Sequence, residues 1–122
     1  MPETTNAPRP PWRPCLQPRA VVEGDASTIR ATMRLAEKAN RHGPHDAVLH
    51  NVAVGYREPQ RIETGDGLPH VFAVNTLAPF ILAALIETPK RLVYLSSGLH
   101  RNASVDLDDI TWEKRRWDGT EA

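Results

Sequence analysis

Arg91-Leu92-Val93-Tyr94-Leu95-Ser96-Ser97-Gly98 is a short apolar run that stops abruptly at two hydroxyls and a glycine. A run without polar alternation suits a strand buried on both faces, as in a parallel sheet. In open α/β sheets, chemistry gathers just outside the carboxyl ends of the strands. Ser96 and Ser97 stand at such an end. Two upstream segments end in a similar way: Ala20-Val21-Val22-Glu23-Gly24-Asp25, and Asp46-Ala47-Val48-Leu49-His50-Asn51.

Between the first two strand candidates, Ser27 is placed to cap a helix that runs to about His42. Ile29, Met33 and Ala36 recur at helical period and form its expected apolar face, while Arg30, Arg34, Glu37 and Lys38 face water. Gly43-Pro44 ends it. A polar loop from Gly55 to Gly67 follows the second strand. Leu68 to Glu87 is the longest apolar segment, with Pro69 suited to its first turn and Pro89 closing it. Val71, Phe72, Val74, Leu77, Phe80, Ile81, Leu82, Leu85 and Ile86 surround this helix on all sides. A membrane span needs about 20 apolar residues. Asn75, Thr76 and Pro79 interrupt this one, and His70 and Glu87 bound it closely, so burial in a core or against a partner is expected instead. The order strand, helix, strand, helix, strand argues a three-layer α/β arrangement with parallel strands.

The 122 residues allow one small domain with a core of limited depth. Fifteen acidic and fifteen basic residues balance, which excludes a global field favouring nucleic acid or an anionic membrane. Cys15 is the only cysteine, so no internal disulfide forms and a cytoplasmic setting is the default expectation. No basic start followed by an apolar stretch suggests a secretory signal. Asn102-Ala103-Ser104 matches a glycosylation acceptor, which without a secretory route is accidental. Residues 1–18 carry Pro2, Pro8, Pro10, Pro11, Pro14 and Pro18, and are expected to form a disordered tail. PxxP spacing with flanking arginines gives that tail a second reading, as a ligand for an aromatic-lined groove. Residues 19–122 are then the domain.

At this point the residues resemble a known family, the short-chain dehydrogenases/reductases. Asp46-Ala47-Val48-Leu49-His50-Asn51-Val52-Ala53 is similar to that family's strand 4 with its Asn-Asn-Ala-Gly motif. Phe72-Ala73-Val74-Asn75-Thr76 is similar to the helix carrying its catalytic asparagine. Val93-Tyr94-Leu95-Ser96-Ser97 is similar to strand 5, which ends at its catalytic serine, and Val21 to Asp25 to strand 3. The resemblance implies a partial Rossmann-like parallel sheet (β-α-β-α-β) and hydride exchange between NAD or NADP and a small carbonyl or alcohol substrate. It implies that Ser97 hydrogen-bonds the substrate oxygen, a fixed donor meeting developing charge, and that Asn75 holds a water in a proton relay. It implies that Asp25 and Ala26 meet the adenine, and that Asn51 and Ala53 line the adenosine side. Each has a structural alternative: Asn75 can satisfy a neighbouring backbone group, and Asp25 can cap the helix after it. No metal site is expected.

Three departures bear on function. The 122 residues contain no Gly-x-x-x-Gly-x-Gly turn of the kind that cradles pyrophosphate at a helix N-terminus. The close pair Gly65-Asp66-Gly67 follows a polar loop, and its aspartate would repel phosphate. The family's tyrosine, with a lysine four residues later to lower its pKa, has no counterpart: Tyr56 is followed at that spacing by Gln60, and Tyr94 by Gly98. Tyr94 and Ser96 share one strand face, and Val93, Leu95 and Ser97 the other. Ala53 stands where the family has glycine. The expectation is a truncated dehydrogenase domain, strands 3 to 5, inactive as an isolated chain. The alternative from a different class is a non-catalytic interaction module that forms a homo-oligomer through helix 68–87. A third reading is an enzyme completed by a second chain.

Overall fold

The computed structural model describes residues 20–55, 57–102, 104, 106–119 and 121, the side chains of Leu99 and Asn102 excepted. The Pro-rich segment 1–18, with Cys15 and the PxxP run, lies outside the described residues, as do Tyr56 and Ala103 of the glycosylation triplet.

Helix α1 spans Ile29–Asn40. Its cap is Thr28 rather than Ser27: the Thr28 hydroxyl accepts from the Ala31 N–H at 3.3 Å, and Thr28 is extended with φ −128 and ψ 151. A second carboxylate reaches the same helix end from far along the chain. Asp66 Oδ2 accepts from the Ile29 N–H at 2.7 Å, meeting one of the orphan donors of a helix N-terminus. The Gly65-Asp66-Gly67 turn, with Gly67 at φ 77, is thus a remote cap.

Strand β1 is Ala47–His50 and strand β2 is Arg91–Tyr94. They pair in parallel with Ala47 opposite Arg91 and His50 opposite Tyr94. The segment between them winds as α2, His70–Phe72, a π turn over Ala73–Leu77, and α3, Ala78–Leu85. The bond from Ala78 N–H to Ala73 O closes the wider turn. Asn40 fastens the far end: its Nδ2 donates to Leu85 O and its Oδ1 accepts from Glu87 N–H, both at 2.9 Å. A carbonyl at the helix C-terminus is thereby satisfied.

Four expectations change. Ala20–Asp25 is not a strand: among the described residues the sheet has two strands, β1-β2, and nothing pairs with this segment, since an extended run needs a neighbour for its backbone groups. Helix α1 buries Ala31, Thr32 and Ala36, while Ile29 and Met33 are 43% and 44% exposed. Ala36 is buried as expected, but Ala31 and Thr32 take the places of Ile29 and Met33 beside it, because small side chains let α1 approach α3 closely. The segment 68–87 is not buried all round: Val71, Ala73, Val74 and Ala78 are covered, and Phe80 is 69% exposed. Finally, β2 is not covered on both faces. Every residue in it is exposed, and Leu49 beside it is 61% exposed. The described residues make two layers rather than three. A right-handed crossover puts α2–α3 on one face of its strand pair, and α1 packs beside it on that same side.

A second cluster holds the long loops together. Residues 57–69 and 107–121 meet at a Glu58–Gly119 bridge, where the Trp117 indole N–H donates to Glu58 O at 2.9 Å. Arg61 Nε donates to Thr111 O at 2.9 Å. Asp109, 3% exposed, accepts from the N–H groups of Glu113 and Lys114 at 2.8 and 3.1 Å. Arg115 lies 3.8 Å over the Trp112 ring. No helix among the described residues is long and apolar enough to cross a membrane.

Candidate active site at the strand ends

Both strands stop at the same level, and the chain diverges from there. Leu95 N–H still donates to His50 O at 3.2 Å; beyond it the backbones separate and leave a cavity of 580 Å³. Asn51, Ala53, Asn75 and Ser97 all line it. Four residues singled out in the sequence therefore converge, although they come from three separate segments.

Asn75 is held firmly. Its Oδ1 accepts from Val54 N–H and its Nδ2 donates to Val54 O, both at 2.8 Å. The carboxamide thus acts as a short piece of strand against the segment leaving β1. This is the structural alternative weighed above, and it fills only part of the side chain's capacity. A carboxamide has two donors and two lone pairs, and Asn75 is exposed, so one of each is left to meet a water. The π turn centred on Asn75 sets this geometry; such turns recur at functional sites.

Ser97 is exposed. Its carbonyl accepts from the His100 N–H at 3.4 Å and from the His100 ring, which curls residues 98–102 over the strand end as a 3-10 turn. Tyr94 and Ser97 line the same cavity even though they leave the strand on opposite faces, because the cavity wraps around the sheet end.

Asp25 lies apart. Its Oδ1 accepts from Ser27 N–H at 2.8 Å and its Oδ2 from the Ser27 hydroxyl at 2.9 Å. Those two bonds, backbone first, hold the carboxyl below the usual carboxylate range. It lines neither this cavity nor the next. Ala26 does meet Asn51: with Val74 they line a largely apolar cavity of 200 Å³ between the helices and β1, which Ala53 does not reach.

His50 went unrecognised in the sequence. It stacks on Tyr94 with centroids 4.9 Å apart and planes at 20°, lines both cavities, and leaves Nε2 buried without a partner. Burial pushes its pKa down. The available signal was its place as the last residue of a strand. Glu121 also lines the larger cavity, delivered by the Glu58–Gly119 bridge, and no local pattern announced it. Among the described residues no cluster of His, Cys, Asp or Glu can hold a metal.

No family model matches the chain, but known proteins do. The chain is 48% identical over 94 residues to an uncharacterised oxidoreductase of Emericella nidulans, covering 75% of this chain and 37% of that protein. It is 42% identical over 101 residues to the short-chain dehydrogenase chyC of Penicillium rubens, covering 83% of this chain and 38% of that protein. Among solved structures, an uncharacterised protein from Mycobacterium paratuberculosis superimposes with a TM-score of 0.69 at 24% identity, over 82% of this chain and 36% of the other. A blue fluorescent protein from a metagenomic library, crystallised in complex with NADPH, gives 0.50 at 21% identity, over 65% and 34%. The chain is therefore related to the short-chain dehydrogenases/reductases over three quarters or more of its length, and its fold is a partial Rossmann-like α/β unit. It spans a little over a third of the length of the relatives it matches.

Proposed function

We propose that these residues are the substrate-and-adenosine part of an NAD(P)-dependent short-chain dehydrogenase, and that the 122 residues by themselves do not turn over. The observation that carries this reading is the convergence of Ser97, Asn75, Asn51 and Ala53 on one cavity at the carboxyl ends of a parallel strand pair. Oxidoreductase relatives and the NADPH held by one structural neighbour support it.

The fit to a nicotinamide cofactor is good at one end and absent at the other. Ala26, Asn51 and Val74 offer an apolar slot of 200 Å³ that suits a flat heteroaromatic ring. Among the described residues the pyrophosphate finds no cradle: the close glycine pair is committed to Asp66, which caps α1. When bound, the nicotinamide supplies or accepts a hydride. Within this chain, Ser97 donates to the substrate oxygen, and Asn75 holds a water with the valence Val54 leaves over. No tyrosine–lysine pair is present in the sequence to move the proton onward.

Two measurements on the purified chain test this. Titration with NADH and NADPH, followed by fluorescence, is expected to show no saturable micromolar binding and no turnover; nicotinamide turnover by the unaided chain would end the proposal. Adenosine alone is expected to bind weakly, with a dissociation constant on the order of millimolar for so small a ligand. It should shift the amide resonances of Ala26, Asn51 and Val74 first. Shifts confined to other residues would move the adenosine site elsewhere.

A further inference from the structure

We infer that the outer face of α1 is a docking surface for an acidic, amphipathic helix of another protein. Ala31, Thr32 and Ala36 turn one side of α1 into the molecule. At about 100° per residue, Arg30, Arg34, Glu37 and Arg41 fall together on the opposite side, and all four are exposed. Arg41 belongs to the row because it ends the helix with helical backbone angles, φ −65 and ψ −18. The row runs about 16 Å along the axis. None of the four forms an ion pair with another described residue. Lys38, on its flank, is tied to Glu23 O at 2.8 Å.

A neighbour in the sheet does not reach this row. Leu35, on the inner side of α1, shares a cavity with Val48 and Leu49 of β1, so the sheet lies on that inner side. A strand added at either edge extends the sheet in its own plane, and the row faces the other way. Helix stability does not account for the row either. Arg30 stands in the first turn, where the macrodipole favours an anion, and α1 has no acid there.

Charge decides the occupant. The row holds three cations and one acid, so two copies of it repel and a second α1 does not fit. A lipid surface or a nucleic-acid strand presents one sign throughout and sets its charge against Glu37. A helix can alternate, with acids facing Arg30, Arg34 and Arg41 and a base facing Glu37. Residues on one face of a helix recur every three or four positions, which matches the row's own steps of four, three and four. Ile29 and Met33, 43% and 44% exposed, lie along one flank of the row. They give the apolar side chains of such a helix a ledge, the usual anchor of helix recognition.

A fluorescein-labelled synthetic helix of about five turns tests this on the 122-residue chain. Its docking face carries three glutamates and one lysine at the row's spacings, with leucines alongside, in one version ordered for parallel docking and one for antiparallel. An anisotropy titration at low ionic strength is expected to show saturable binding of one version, weakened by salt. Each exposed pair alters an affinity by about 1.4- to 5-fold. Arg30→Gln with Arg34→Gln is therefore expected to weaken binding about 2- to 25-fold, with an unchanged far-UV spectrum. Glu37→Lys is expected to reverse the preference. The natural chain binds the lysine-bearing peptide more tightly than its all-glutamate counterpart, and the variant does the opposite. No saturable binding of either version, equal affinity in the double variant, or the same peptide preference in both chains overturns the proposal. Tighter binding to phosphatidylserine vesicles or to a DNA duplex, lost with the same two arginines, overturns the choice of occupant. If the double variant loses its far-UV spectrum, the Glu37→Lys comparison decides alone.

Discussion

Asn75 holds Val54 through both polar atoms of one carboxamide, and that bidentate contact shapes the cavity wall. Asn75→Ala removes two exposed bonds and is expected to cost about 1–2 kcal/mol in chemical denaturation. Asn75→Asp is more informative. At neutral pH a carboxylate oxygen would face Val54 O, so the aspartate variant is expected to be less stable than the alanine variant. Protonation restores a donor towards Val54 O, so the folded-state pKa of the new carboxyl is raised. The lost stability then returns as pH falls through that pKa, starting above the ordinary value of about 3.9. A denaturation midpoint for Asn75→Asp that does not move with pH would contradict this role. Gly119 has an equally local reason for its identity, since an added Cβ would collide with the Glu58 backbone.

At the scale of elements, caps assembled across the sequence matter more than helix propensity. Helix α1 begins with no acidic residue in its first turn, and Asp66 supplies the missing charge from the other side of the loop. An anion near a helix N-terminus also meets the macrodipole. Asp66→Ala is expected to cost about 1 kcal/mol and to speed hydrogen exchange in the first turn of α1, leaving α3 unaffected. Equal acceleration in both helices would show that the loop does more than cap. The α1–α3 contact itself rests on Thr32 and Ala36, each 1% exposed, and on Ala78 at 2%.

For the whole molecule, the loop cluster around Asp109 couples the chain's last residues to its middle. Burial pushes the Asp109 carboxyl up, but the N–H groups of Glu113 and Lys114 and the charges of Arg115 and Lys114 outweigh it and hold it below the usual carboxylate range. A depressed folded-state pKa gives stability that is complete above the unfolded value of about 3.9 and is lost as pH falls through the folded one. In a Trp12→Phe background, the fluorescence of Trp112 and Trp117 is expected to change in that acid window. Asp109→Asn should show an altered signal already at neutral pH and little further change in acid. A transition with an unaltered midpoint in that variant would place the sensitivity in another carboxyl. His50 works in the same direction at a higher pH: burial depresses its pKa, so stability falls as pH drops below about 6.5.

The parallel pair β1–β2 and the helix between them were legible in the residues, because apolar runs ending in polar groups report local backbone preference and strand direction, whereas the meeting of Asn51, Ala53, Asn75 and Ser97 was expected only from the resemblance to the dehydrogenases. Pairing is not local. Whether Ala20–Asp25 becomes a strand depends on a neighbour, which no property of those six residues supplies. Which stripe of α1 is buried depends on how closely α3 approaches, and the dual role of Asp66 depends on a contact 37 residues away. The stacking of His50 on Tyr94 needs the cross-strand register. Local chemistry settled the class of fold; only the assembled chain decided the caps and the covered faces, because each of these is a relation between distant segments.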